Sequence, residues 1–177
     1  MINKGYLTAN SSNENDEFLT PREAVEPLLK YIESFCKRME KSTCTIWCPF
    51  DTEESEYVKI FKTKYNVIYS HINNGQDFLT YAPKNYDLII SNPPFSKKDQ
   101  ILKRLYELNH PFAILLPLPT LQGQRRFKYL KDCQALIFNK RINFKNLKNN
   151  EVKKGVSFAS IYICKNFLPK DLIFEEI

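Results

Sequence analysis

Residues 86–95 read Tyr86-Asp87-Leu88-Ile89-Ile90-Ser91-Asn92-Pro93-Pro94-Phe95. Tyr86 to Ile90 is a short run of apolar and β-prone side chains, the pattern of a strand buried within a sheet. Asn92-Pro93-Pro94 stops it, because proline has no amide hydrogen for a strand ladder and its ring fixes φ. Over 98–109 the apolar residues Ile101, Leu102, Leu105 and Leu108 share one helical face, and Pro111 stands just beyond, where a helix does not continue. The stretch is strand, rigid loop, helix.

The alternation extends outward. Thr45-Ile46-Trp47-Cys48 is a short buried strand ending at Pro49, and 66–72 is strand-like through Val67, Ile68, Tyr69 and Ile72. Asp51 stands where it would cap a helix running to about Lys64, with Glu54 as the reciprocal partner of a capping box. Upstream, Thr20 is placed as a helix cap, Pro21 as the first helical residue and Glu23 as the box partner. Val25, Leu28, Leu29, Ile32, Phe35 and Cys36 make that helix's apolar face, and Pro27 is expected to kink it. Downstream, 112–116 reads as buried strand, 124–131 as a basic helix, and 135–138 and 158–164 as the last strands. Strands alternating with helices predict an α/β fold, a mostly parallel Rossmann-like sheet with helices on both faces. Ligands of such sheets bind beyond the carboxyl ends of the strands. Function is therefore expected on 48–52, 73–79, 91–97 and 117–126.

A chain of 177 residues suffices for one domain with a real core, expected over 18–177 behind a polar, flexible arm at 1–17. Four glycines are too few for a Gly-rich phosphate loop. Five cysteines without a Cys-x-x-Cys pair, and only two histidines, argue against a disulfide framework and against a zinc site, so free thiols and no metal are expected. Neither a secretory leader nor an apolar run of membrane length is present, which predicts a cytoplasmic protein with no membrane partner. The net charge of +6 suits an anionic partner such as nucleic acid, and equally suits a solvated lysine-rich surface.

Asn92-Pro93-Pro94-Phe95, behind a buried strand and ahead of a helix, resembles the catalytic motif of amino-directed methyltransferases: the N6-adenine DNA methyltransferases, some RNA adenine methyltransferases and the glutamine methyltransferases that act on release factors. The resemblance implies a class I methyltransferase fold, S-adenosylmethionine as cofactor, and transfer to a planar amino group. Adenine N6 of DNA or RNA comes first and protein glutamine is the alternative. The residue types suit this chemistry. A purine's exocyclic amine is a poor nucleophile because its lone pair is delocalised into the ring. Acceptors for both N–H bonds favour a pyramidal nitrogen; the Asn92 side-chain oxygen and the Pro93 carbonyl supply them. Pro93 and Pro94 hold those acceptors in place beforehand, and Phe95 offers a ring on which a base can stack.

Three further segments carry the resemblance. Phe18-Leu19-Thr20-Pro21 is similar to a Thr-Pro motif lying against the cofactor's carboxylate end, as a helix N-terminus favours an anion; a plain helix cap explains it too. Asp77-Phe78 is similar to the acidic–aromatic pair around the cofactor's adenine, and also reads as a solvated Asp beside a core Phe. Trp47-Cys48-Pro49-Phe50-Asp51 resembles a glycine-free cofactor loop of small phage-type adenine methyltransferases. It implies Trp47, Pro49, Phe50 and Asp51 beside the cofactor, with Asp51 on the methionine ammonium or the ribose, or only capping the next helix. The tail, 140–144 and 155–160, is similar to that of the same enzymes. The family's usual glycines are missing, and Ser70, His71 and Asn73 stand where its ribose-binding acid belongs. These departures motivate a third reading, a degenerate methyltransferase fold that binds nucleic acid or a partner without catalysis.

Basic residues concentrate over 122–154. With Lys97 just past the loop, Arg125, Arg126, Lys128, Lys140 and Arg141 are the candidate nucleic-acid contacts, against the alternative of a solvated basic face. A base inside a duplex cannot reach Asn92, so it would be flipped out or single-stranded. The length leaves no room for a separate target-recognition domain. Low sequence specificity, a partner subunit or structured RNA are the resulting options.

Overall fold

The computed structural model describes residues 18–146 and 158–177; the arm expected at 1–17, together with Lys148, Lys153, Lys154 and 155–157, lies outside the described residues. In chain order the elements are β1 (Phe18–Leu19), α1 (Arg22–Val25), α2 (Leu28–Arg38), β2 (Thr45–Cys48), α3 (Glu56–Phe61), β3 (Asn66–Tyr69), β4 (Leu88–Ser91), α4 (Lys98–Leu108), β5 (Phe112–Pro117), α5 (Phe127–Leu130), β6 (Gln134–Phe138), β7 (Lys145–Asn146), β8 (Ser160–Lys165) and β9 (Leu172–Glu175). Seven strands form one sheet in the order β3-β2-β4-β5-β8-β6-β9, and β1 pairs with β7 separately. β3, β2, β4 and β5 are parallel, β8 runs antiparallel between β5 and β6, and β9 lies parallel to β6. This is the mostly parallel, Rossmann-like sheet with helices on both faces that the sequence predicts.

Burial explains the strand sequences. Every residue of β4, and of β5 up to Leu116, is buried, which is why both read as unbroken apolar runs. Helices cover both faces. The Tyr162 hydroxyl of β8 meets Tyr57 of α3 at 2.7 Å and donates to the Ala24 carbonyl of α1 at 3.1 Å. Lys165 of the same strand lies over the Tyr106 ring of α4. Residues an odd number apart on a strand project from opposite faces, so α1 and α3 cover one side and α4 the other. α2 adds Leu28, Tyr31, Ile32, Phe35 and Cys36 to the core, with the Phe35 ring 6.0 Å from that of Phe167.

Several local expectations are corrected. Pro27 breaks the first helix into α1 and α2 instead of kinking it. Thr20 does not cap it: Pro21 is extended ahead of Arg22 with no side-chain cap, and Glu23 reaches outward to Lys140 at 3.5 Å. Nor does Asp51 cap α3. Ser55 stands closer to the helix start and accepts from the Val58 amide, Glu54 pairs with Lys59, and Asp51 turns inward. β3 stops at Tyr69, and a 3-10 turn, Ile72–Asn74, closes on Gly75 at φ 75°. The basic helix shrinks to the four residues of α5, because 123–126 forms a turn with Arg126 N–H and Phe127 N–H both donating to the Gly123 carbonyl. β1, β7 and β9 were not expected.

The expectation of free thiols holds at Cys48, Cys133 and Cys164 and fails at Cys36 and Cys44, which form a disulfide. The end of α2 folds back onto the start of β2, leaving these Cα atoms 5.9 Å apart. Parity of the cysteine count excludes a complete framework but says nothing about one pair.

Candidate active site

The carboxyl ends of β2, β3, β4 and β5 open on one edge of the sheet. Every buried Ser, Thr or charged residue among the described residues stands along it. Asp51 and Ser55 follow β2, Ser70 follows β3, Ser91 ends β4, Thr120 follows β5, Ser160 opens β8 opposite Pro117, and Thr20 lies beside Tyr57. A buried polar group costs about 1–3 kcal/mol unless it is paired. The rest of the core avoids that cost by being apolar, so the concentration marks this edge as the candidate site.

Hydrogen bonds tie the strand ends together. The Ser91 hydroxyl donates to Asp51 Oδ2 and accepts from the Phe50 amide at 3.3 Å. The Asp51 amide donates to the Ser70 carbonyl at 3.2 Å, and the Ser70 amide to the Cys48 carbonyl at 3.1 Å. Trp47 Nε1 donates to Ser70 Oγ at 2.9 Å. Asp51 is only 7% exposed. Burial pushes its carboxyl up to about 6, against the opposing pull of the Ser91 and Ser55 hydroxyls. Ser70→Ala would leave the buried indole N–H without its acceptor. The expected loss is about 1–3 kcal/mol, read as a lower urea midpoint with an unchanged denaturant slope.

Asn92 continues directly from Ser91. It is half-buried and its side-chain oxygen is covered. Pro93 is buried, and the Pro94 carbonyl accepts from the Lys97 amide at 3.2 Å, turning the chain through Phe95–Lys97 into α4. Phe95 is 9% exposed, held edge-on by Phe158 at 5.5 Å and Phe144 at 6.4 Å. It pins the loop to the core instead of presenting a stacking face. Phe78 is likewise core, 2% exposed between Trp47 at 5.4 Å and Phe50 at 4.9 Å. The Asp77 carboxylate accepts from the Leu79 amide at 3.0 Å within its own turn. Pro49 and Thr20 are buried, Pro21 and Phe50 are half-buried, and Phe18 is placed by its backbone pairing to Asn146.

No protein-family profile and no curated protein matches the chain. Among solved structures it is similar to an Agrobacterium tumefaciens protein predicted to be an O-methyltransferase, at 6% identity over 75% of this chain and 77% of that one, TM-score 0.34. A Thermoplasma acidophilum protein assigned by inference as a methyltransferase matches at 15% identity over 83% of this chain and 67% of that one, TM-score 0.32. At these TM-scores neither likeness carries weight for the chemistry.

The residues present fit S-adenosylmethionine by their chemistry. Asp51 supplies an acid for a cation or for ribose hydroxyls, and Phe50 supplies a partly open ring for adenine. Three buried hydroxyls on the edge, Thr20 Oγ1, Thr120 Oγ1 and Ser160 Oγ, have no hydrogen-bond partner among the described residues, though the Tyr57 hydroxyl lies near the first. They suit a carboxylate or a ribose. Of the basic candidates, Lys97, Arg125, Lys128 and Arg141 are exposed. Arg126 is turned inward, its side chain 19% exposed and its Nε 3.3 Å from Asp99 Oδ1, and Lys140 is engaged with Glu23. Among the described residues no group of three or more His, Cys, Asp or Glu is placed to hold a metal ion, and no helix is long and apolar enough to cross a membrane.

Ser70, Ser91, Thr120 and Ser160 stand in segments that the sequence singles out, but without a role of their own there. Only Ser91 carried a signal, as a lone hydroxyl between an apolar strand and the Asn92 loop.

Proposed function

We propose that the protein is an S-adenosylmethionine-dependent methyltransferase acting on an exocyclic amino group, foremost adenine N6 of nucleic acid. The supporting observation is the position of Asn92-Pro93-Pro94 at the carboxyl end of β4, among the parallel strands, with Ser91 joining the loop to buried Asp51. The bound cofactor would supply an electrophilic methyl group. Asp51 holds positive charge or hydroxyls of the cofactor, and Phe50 lies against its adenine. Asn92 Oδ1 and the Pro93 carbonyl accept from the substrate amine and localise its lone pair. Asn92 Oδ1 is covered, so it has to turn outward about the side chain's terminal torsion, which is soft. The exposed Arg125, Lys128 and Arg141 favour nucleic acid over a protein glutamine.

A second reading, a fold of this type that binds nucleic acid without catalysis, is favoured by that same covered oxygen and by buried Phe95. Two measurements separate them. Titration calorimetry with S-adenosylmethionine should show binding, and a radiolabelled methyl group should pass to DNA or RNA. No cofactor heat at millimolar concentration would leave the non-catalytic reading; label appearing only in protein would move the substrate to glutamine.

A further inference from the structure

Two of the exposed basic candidates, Arg125 and Lys128, flank an exposed aromatic ring. Phe127 is 67% exposed and, unlike the still more exposed Phe174, stands between basic residues. It opens α5 between Arg126 and Lys128, and with Lys103, Gln124, Arg125 and Tyr129 it lines an open depression. The turn that carries the ring is tied to α4. Arg126 reaches back to Asp99, in the first turn of α4, and donates to the Gln122 carbonyl at 3.3 Å. The guanidinium lies over Gly123, where a Cβ would come within 2.7 Å of its terminal nitrogen and oblige the arginine to shift. Tyr129 packs on Tyr106 at 5.2 Å and anchors the other end of the turn. α4 is the helix that leaves the Asn92 loop, so these contacts place the turn carrying Phe127 on the same helix as that loop.

We infer that Phe127 is a base-stacking platform for a single-stranded segment of nucleic acid, whose phosphates are held by Arg125 and Lys128. An exposed ring flanked by the exposed Arg125 and Lys128 has the chemistry of single-strand recognition, in which every base offers a π-face and every phosphate a charge; Lys103 and Arg126 beside it are already paired with Glu107 and Asp99. Arg126 is then a positioning residue and not a phosphate ligand. The inference rests on the nucleic-acid substrate proposed above; it adds the strand's conformation and the residue that reads it.

Equilibrium binding of the full chain to a short single-stranded DNA oligonucleotide, and to its RNA counterpart, tests it. Phe127→Ala should weaken binding on the order of tenfold or more, while the dependence of affinity on salt keeps its slope, because no charge is lost. Lys128→Ala should reduce both affinity and slope. Phe127→Trp should restore affinity and report stacking directly. The protein's only other tryptophan, Trp47, is fully buried, so quenching on binding comes from the new ring. Phe127 is exposed, so none of these changes should shift the melting temperature. Wild-type binding that Phe127→Ala leaves intact, or a Phe127→Trp signal that nucleic acid does not quench, overturns the stacking role alone. No wild-type binding to either oligonucleotide overturns the inference, and no binding to the corresponding duplex as well removes the nucleic-acid substrate along with it.

Discussion

Asn92→Ala is expected to lower kcat by on the order of 10²–10³ while leaving the cofactor dissociation constant unchanged. The magnitude is that of deleting one preorganised hydrogen-bond partner of the reacting group. It falls on kcat because the interaction strengthens as the amine pyramidalises, not when substrate first binds. Asn92→Asp keeps an acceptor at the same place and should retain more activity than alanine. Steady-state methyl transfer, combined with calorimetric titration of the cofactor, separates the effects. A variant that turns over at the wild-type rate would show that the amine is gripped elsewhere. One that loses cofactor affinity in the same proportion would make Asn92 part of the loop's architecture, as its covered oxygen permits.

The residues that were legible in the sequence are those whose pattern depends on one element at a time. β2, β4 and β5 are apolar because both faces of their strands are covered, and such runs announce themselves. The rest was decided by competition between neighbours or by contacts distant in sequence. Asp51 and Ser55 both precede α3 and either can cap it; Ser91, forty residues away, supplies the partner that draws Asp51 inward. Phe95 and Phe78 carry the right side chains for stacking, but rings contributed by Phe144, Phe158, Trp47 and Phe50 enclose them. Phe127 does lie in the basic helix that the sequence predicts, at the start of α5, but its exposure cannot be read from that pattern. The turn ahead of it, in which the Arg126 and Phe127 amides both donate to the Gly123 carbonyl, is a tertiary detail that its sequence does not announce. β9 alternates in burial, and its short apolar stretch is not distinguishable from a coil by period alone.

Asp51→Asn is expected to stabilise the protein at neutral pH and to weaken its hold on the cofactor. In the fold the carboxyl titrates at about 6, against an ordinary 3.8. Between those values the native protein keeps a proton that the unfolded chain has already released, so stability falls as pH rises through the window and levels off above it. A shift of this size corresponds to about 3 kcal/mol. Asparagine does not titrate, so the variant should lose that slope in urea unfolding measured from about pH 4 to about pH 8. Its gain at the upper end is reduced by whatever the new amide hydrogens fail to find as acceptors. Ligand binding supplies the opposite sign. A cation or a hydroxyl donor beside Asp51 favours its ionised form, so cofactor binding near pH 6 should release a proton. The calorimetric heat should then vary with the ionisation enthalpy of the buffer. In Asp51→Asn that variation should vanish and affinity should fall on the order of tenfold or more, as for a lost hydrogen bond to a charged group. A wild-type heat identical in all buffers would mean that the cofactor never reaches this carboxylate. The raised pKa would then record only the cost of burying an acid at the sheet edge.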